Sequence, residues 1–271
     1  MKVVAVANHK GGVGKSGVSV CLAGALVEGG HRVLVVDLDQ QATASEWLGV
    51  RAPNALPNDD PHGVKLAEAL ADAGSLVPLV LGTASRVDCL PCGSGFAAFE
   101  RSVAGTLAAE RLLARSLGTL PRDWDFVFLD CPPSLGLVTV NALVAADLLL
   151  VPVEPKSASR TPILTVLRLA REVQGLLNSR LGLAGIVASR FQPRVQHRQV
   201  EAWLRATFRD QVFDSVVREN THISESHAFQ RPVTAYLPHS NGAIDFRALC
   251  EEFLARVGAG SFSSLQGVTH G

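Results

Sequence analysis

The chain has 271 residues, 47% of them hydrophobic, with 25 basic against 25 acidic side chains and a formal net charge of zero. That length suits one large α/β domain or two small ones, and that hydrophobic share excludes global disorder. A neutral chain is no bulk polycation, so any nucleic-acid contact must come from a local patch.

The N-terminus enters the apolar run Val3-Val4-Ala5-Val6 directly, with no basic stretch and apolar leader before it, so no signal peptide is expected. Val3 to Ala7 reads as the first strand, and Ser16 to Glu28 as a helix with Val18, Cys21, Leu22, Ala25 and Leu26 on its buried face. Between them lies Ala7-Asn8-His9-Lys10-Gly11-Gly12-Val13-Gly14-Lys15-Ser16. Strand, glycine loop and helix in that order are what a phosphate-binding loop requires. The glycines let the backbone bend round a phosphate chain, the amide N–H groups point inward, and the helix N-terminus adds positive potential. Lys15 can reach the outer phosphates and the Ser16 hydroxyl can ligate Mg²⁺. The expected nucleotide contacts are Lys10, Gly11, Gly12, Val13, Gly14, Lys15, Ser16 and Gly17. The usual template G-x-x-x-x-G-K-[ST] fails at its first position, where His9 stands, and a second lysine, Lys10, opens the loop.

Gly29-Gly30 ends the helix, and Arg32 to Val36 is a second strand, apolar enough to be buried on both faces. It closes on Asp37-Leu38-Asp39-Gln40-Gln41. Carboxylates at the C-terminal end of a parallel strand lie on the ligand side of the sheet. Asp37 and Asp39 alternate in direction, so one could face Mg²⁺ and the other an attacking water; the bland alternative is two acids capping a helix that starts near Thr43. Residues 49–63 form a surface loop, Val64 to Ala73 a helix, and Val87 to Leu90 a short strand. Five scattered cysteines argue against a disulfide framework, and Cys89-Leu90-Pro91-Cys92 lacks the second pair a zinc site needs. Phe96 to Leu117 reads as one helix covering the sheet.

Asp125 to Asp130 is the strongest strand, an apolar run closing on an acid in the Walker B manner, with Asp130 holding Mg²⁺ directly or through water. Leu137 to Ala145 is a helix, Asp147 to Val153 a buried strand, Thr161 to Leu177 a long helix and Gly185 to Ala188 a further strand. No apolar run approaches the roughly 20 residues of a membrane span, so a soluble, cytoplasmic protein is expected. Ser189 to Arg198 carries three arginines and a histidine with no acid before Glu201, and is either a DNA-phosphate patch or a solvated loop and helix start. Arg190, Arg194, Arg198 and the later Arg218 are the candidates, and binding through them would be salt-sensitive and sequence-independent. Gln211 to Val217 is the last strand, Gly242 to Val257 a C-terminal helix, and residues 258–271 a Ser/Gly-rich tail expected to be disordered.

Lys10-Gly11-Gly12-Val13-Gly14-Lys15-Ser16 resembles the deviant Walker A motif of the ParA/MinD superfamily. Asp37-Leu38-Asp39-Gln40-Gln41 resembles its D-x-D-P-Q segment with Gln40 in place of proline. Asp130-Cys131-Pro132-Pro133-Ser134-Leu135-Gly136 matches the ParA form of Walker B. Arg218-Glu219-Asn220-Thr221-His222-Ile223-Ser224-Glu225-Ser226 resembles the block P-R-N-x-x-[LF]-x-E-[AS], which in the family lies near the adenine and the partner interface. Here Arg218 and Glu219 replace its proline and arginine, which puts an acid where DNA binders often carry a base. The likeness runs from Met1 to Val257 and points to a short ParA/Soj-type ATPase without an N-terminal helix-turn-helix. It implies a single-domain P-loop NTPase fold, a mostly parallel twisted sheet flanked by helices on both faces. It further implies an ATP- and Mg²⁺-dependent homodimer in which Lys10 reaches the partner's nucleotide, Asp39 orients the hydrolytic water and Pro132-Pro133 senses the γ-phosphate. Lys10, Lys15 and Asp39 are then the catalytic residues, and Ser16 and Asp130 the metal ligands. Expected partners are nonspecific double-stranded DNA and a ParB-like activator of a weak intrinsic turnover, in a cytoplasmic, nucleoid-associated protein. The alternatives are a MinD-like membrane-associated positioning ATPase or one that positions a protein cargo. The tail from Ser261 to Gly271 has no lysine or arginine, which disfavours the basic membrane-targeting helix of the former.

Overall fold

Branched aliphatic side chains fill the central strands, which is why those strands sit inside the molecule, covered on both faces. A computed structural model describes residues 1–51 and 61–259. The elements in order are β1 (Lys2–Val6), α1 (Lys15–Glu28), β2 (Val33–Asp37), α2 (Thr43–Trp47), α3 (His62–Ala71), β3 (Asp88–Leu90), α4 (Phe99–Ser102), α5 (Leu112–Leu117), β4 (Phe126–Asp130) and α6 (Leu137–Ala145). Then come β5 (Leu148–Val153), α7 (Arg160–Leu176), β6 (Gly182–Phe191), α8 (Val195–Phe208), β7 (Val212–Arg218), α9 (Thr221–Ala228), α10 (Val233–Tyr236) and α11 (Asn241–Ala259). The strands form one seven-stranded sheet in the order β3-β2-β4-β1-β5-β6-β7, every neighbouring pair parallel. β2, β4 and β5 are buried at every position.

Two apolar layers hold the sheet. On one face Leu22 and Leu26 of α1 pack with Phe246, Leu249 and Phe253 of α11. On the other, α3, α5, α6 and α7 pack through Leu66, Leu113, Leu143 and Leu167. The chain leaves β1 for β2 by skipping the place of β4, so β1 lies at the reversal of strand order, where open α/β sheets bind ligands at the strands' carboxyl ends.

Most expected elements lie within a residue or two of their observed bounds. The single helix expected over 96–117 does not form. The segment breaks into α4 and α5 joined by turns, with left-handed backbone at Gly105 and Ala108, and its apolar residues pack on α3 and α6 rather than along one helical stripe. The strand expected over 185–188 runs from Gly182 to Phe191. Gly258 and Ala259 still belong to α11. Residues 52–60 of the expected loop and 260–271 of the expected tail lie outside the described residues. Among the described residues, no helix is long and apolar enough to cross a membrane.

Candidate phosphate-loop site

The site is built at the carboxyl edge of β1, β2, β4, β5 and β6. Gly12 (φ 75°) and Gly14 (φ 85°) take the left-handed backbone that turns the loop into α1, a conformation costly for any residue with a Cβ. A Cβ on Gly11 or Gly12 would meet no heavy atom within 4 Å, so the mouth of the loop is open. The loop carbonyls are held from behind: Ser189 Oγ donates to Val13 O at 2.6 Å and Arg190 Nη1 to Gly12 O at 3.2 Å. With the carbonyls tied outward, the N–H groups are left for an anion.

Lys15 is buried and its Nζ donates to Lys10 O at 3.2 Å, curling over the loop. Burial lowers its ammonium from the ordinary lysine value, and the charge of Asp130 opposes that shift most. Lys10 turns the other way. Its Nζ donates to Ser159 Oγ at 3.2 Å and lies 4.0 Å from Glu154 Oε2.

Asp37 and Asp130 are register partners across β2 and β4 and both are fully buried. Burial pushes both carboxyls well above the usual range, and the charge of Asp130 raises Asp37 further. The two acids then divide. Asp37 accepts from Ser45 N at 2.9 Å, Ser45 Oγ at 2.7 Å and Asp39 N at 3.0 Å. It is therefore the acid that caps the first turn of α2, so the alternative of two capping acids holds for Asp37 and not for Asp39. Asp39 is half-buried, accepts from Gln41 N at 3.0 Å, and lies near enough to Lys15 to oppose the lowering of its ammonium. Asp130 accepts from Ser19 Oγ at 3.0 Å through Oδ1, while its buried Oδ2 has no hydrogen-bond partner.

That orphaned oxygen, with the nearby Ser16 hydroxyl favouring the charged carboxylate, fits a small hard cation. Mg²⁺ takes oxygen ligands, keeps several waters and uses one or two carboxylates plus phosphate oxygens. No cluster of three His, Cys, Asp or Glu side chains capable of holding a metal exists among the described residues, so water and phosphate oxygens would complete the shell. All five cysteines, Cys89 and Cys92 included, are buried, and none is in a disulfide among the described residues.

Beside the loop is a pocket of about 220 Å³ whose walls include Gly14, Gly17, Trp47, Asn220 and His227. Trp47 packs on His227 with ring centroids 4.9 Å apart and the planes tilted by 32°. The apolar floor and aromatic wall suit a flat heterocycle. Asn220, from the block following β7, caps α9 by accepting from His222 N at 2.8 Å.

The four arginines are not equivalent. Arg218 forms a fork on Asp245, with Nη2 at 2.6 Å and Nε at 3.0 Å and 3.1 Å. Arg190 is drawn to the phosphate loop, with Nη2 donating to Glu219 Oε1 at 3.0 Å. Arg194 and Arg198 are exposed at the start of α8 and make no ion pair among the described residues. Sequence reasoning missed Glu154, Ser159, Ser189, Ser45 and Trp47. Glu154 was findable, since it ends a buried strand at the ligand edge just as Asp130 does; the serines carry no pattern of their own.

A family model described as an AAA domain matches residues 1–183. The chromosome-partitioning ATPase Soj of Thermus thermophilus is 37% identical over 255 residues, spanning 94% of this chain and 96% of its own. The sporulation initiation inhibitor protein Soj of Bacillus subtilis is 32% identical over 256 residues, spanning 94% and 98%. Cobyrinic acid a,c-diamide synthase from Mycobacterium smegmatis, solved with bound ATP analog and magnesium, superposes with a TM-score of 0.81 at 28% identity, covering 97% of this chain and 98% of that one.

Proposed function

This chain belongs to the ParA/Soj family of partitioning ATPases, and from that premise we propose that it is an ATP-dependent dimerising ATPase of DNA segregation or cargo positioning. Its ATP-bound dimer binds nonspecific double-stranded DNA, and hydrolysis, weak alone and stimulated by a ParB-like partner, releases it. It acts in the cytoplasm on the nucleoid.

The observation that carries this reading is the divergence of the two loop lysines. Lys15 folds inward over its own loop, whereas Lys10 points out of the loop toward Glu154 and Ser159. A loop lysine that turns away from its own loop supports a two-chain site, in which Lys10 leaves Glu154 and Ser159 to serve the partner's nucleotide. Lys15 and the loop amides hold phosphate oxygens; Ser16 and Asp130 hold Mg²⁺, which supplies charge neutralisation at those oxygens when bound. Asp39 accepts a hydrogen bond from the attacking water and orients it, and Trp47 and His227 flank the base. Such a site works by positioning and by electrostatic stabilisation of charge on the transferred phosphoryl group.

For DNA, the exposed pair Arg194 and Arg198 is the best-supported contact, because Arg190 and Arg218 already hold carboxylates. Pairing two chains doubles that patch and so tightens binding through avidity.

The test is retention of nonspecific duplex DNA at low salt with ATP, ADP or no nucleotide, alongside ATP turnover. Retention with ATP alone, with turnover lost in Lys15→Ala and in Asp39→Ala, is expected. Turnover at the normal rate in either variant refutes the assignment of the site. No DNA retention in any state refutes the nucleoid reading, and vesicle pelleting then tests a membrane surface.

A further inference from the structure

The acid at position 219, unexpected at that place in the sequence, has a partner. Arg190 ends β6 and Glu219 follows β7, and the two strands are neighbours at the sheet's far side. Glu219 N donates to Phe191 O at 2.9 Å, which locks the two strand ends together, and Arg190 Nη2 closes the side-chain bridge to Glu219 Oε1 at 3.0 Å. Arg190 itself adopts a left-handed backbone, φ 51°, uncommon for a side chain of its size. That turn swings the guanidinium back over the loop, where Nη1 meets Gly12 O at 3.2 Å. Nε lies 4.0 Å from Glu154 Oε1 on the other side. Both Arg190 and Glu219 line the pocket that also opens onto Gly14, Gly17 and Trp47.

A nucleotide laid from the loop amides to the aromatic wall must therefore cross this bridge with its inner phosphate and its sugar. Those two groups differ in chemistry. A phosphate is an acceptor that an arginine's fork of donors matches, and a ribose offers hydroxyl donors that a carboxylate accepts. Resting on the reading of the site as a nucleotide site, we propose that Arg190 and Glu219 form a clamp on the nucleotide within the same chain. Arg190 contacts the inner phosphate, and Glu219 accepts from the ribose hydroxyls and selects ribonucleotides over deoxyribonucleotides.

Arg190 is by this account withdrawn from the DNA surface. Its pairing with Glu219 also accounts for the acid: a lone arginine here would add a fourth cation to Lys10, Lys15 and Lys156 around the loop, and Glu219 offsets it while supplying the sugar contact.

The clamp is tested by equilibrium binding of ADP, 2′-deoxy-ADP and 3′-deoxy-ADP with Mg²⁺ to the full chain, to Glu219→Ala, to Arg190→Ala and to Arg190→Lys. ADP avoids the complication of turnover. The unaltered chain should prefer ADP over at least one deoxy form by about tenfold, since a site built to hydrogen-bond a hydroxyl rejects the analogue lacking it. Glu219→Ala, which leaves no acceptor, should bring that ratio within about twofold. Arg190→Ala should weaken all three nucleotides alike, by about tenfold, and Arg190→Lys should restore part of the loss. A ratio near one in the unaltered chain, or a ratio that survives Glu219→Ala, overturns the sugar contact. An Arg190→Ala protein that binds ADP normally overturns the phosphate contact. In either case, ADP binding that still depends on Lys15 leaves the nucleotide site standing. A chain that binds no ADP overturns both readings together.

Discussion

Replacing Glu154 with Gln should strengthen ATP-driven pairing of the chain. The Glu154 side chain is only 10% exposed and stands among three cations: Lys156 Nζ at 2.7 Å, Lys10 Nζ at 4.0 Å and Arg190 Nε at 4.0 Å. At 4 Å and an effective dielectric of about 20, the gross attraction between Glu154 and Lys10 is about 4 kcal/mol. Lys10 keeps 26% of its side-chain exposure, so water competes and the net worth falls to about 1 kcal/mol. If Lys10 must leave Glu154 to serve a partner's nucleotide, that contact opposes the dimer once per chain. Removing it should raise the ATP-dependent association by about fivefold per lysine released. Sedimentation of the full chain with ATP and Mg²⁺, in an Asp39→Ala background that keeps nucleotide intact, measures the constant. The Lys10→Ala and Lys10→Ala/Glu154→Gln proteins complete a double-mutant cycle. Glu154→Gln should act only where Lys10 is present. Equal association of Glu154→Gln and its parent refutes the tether, and so does an effect that persists without Lys10.

Ser45 Oγ donates to Asp37 at 2.7 Å and accepts from Cys92 N at 3.0 Å, so Ser45→Ala removes two buried hydrogen bonds, one of them to a carboxylate, and should cost about 2–4 kcal/mol in urea unfolding. A loss below about 0.5 kcal/mol contradicts that accounting. Arg194→Ala/Arg198→Ala should flatten the plot of log DNA affinity against log salt by about 1.8 per chain, with ATP turnover without DNA unaltered; an unchanged slope removes both from the interface. Burial opposes ionisation of Glu252, but hydrogen bonds from Ser215 N (2.8 Å) and Asp214 N (2.9 Å) and the pairing with Arg256 outweigh it and hold the carboxyl below its ordinary value. A depressed carboxyl stabilises the fold above its unfolded value of about 4.3 and loses that contribution as pH falls through its folded value. Glu252→Gln should therefore unfold more readily than the parent at pH 7, and the gap should close below about pH 4; a gap that is constant with pH points to packing instead.

The strands and most helices were legible because their signals are local. An apolar run such as Phe126 to Leu129 can only be a buried strand, and Gly29-Gly30 can only end a helix there. The segment 96–117 was misread because its apolar residues, Phe96, Phe99, Val103, Leu112, Leu113 and Leu117, are all buried in the same core layer. Burial of one set of residues looks alike in sequence whether a single helix or a broken path presents them. What decides is the surface they must cover, and that surface is assembled from α3 on one side of the segment in the chain and α6 on the other.

The site divides along the same line. Lys15, Ser16 and Asp130 are recognisable because phosphate and Mg²⁺ chemistry prescribes their type and their place at strand ends. The charges around them are prescribed by nothing so general. Which carboxylate faces which lysine depends on strand order, and Glu154 and Arg190 reach the loop only because β5 lies beside β1 in the sheet and β6 lies beside β5. Read along the sequence, Glu219 was an acid in a basic place and weakened the case for a DNA surface. In the fold it is the partner of an arginine that the sequence had assigned to that surface. The two anomalies explain each other. A basic residue turned onto the phosphate loop by a left-handed strand end needs a nearby carboxylate, and the neighbouring strand supplies it. The consequence is that the charge proposed to face DNA and the charge turned onto the phosphate loop are separable. Arg194 and Arg198 can be altered without touching the loop, and Arg190 cannot.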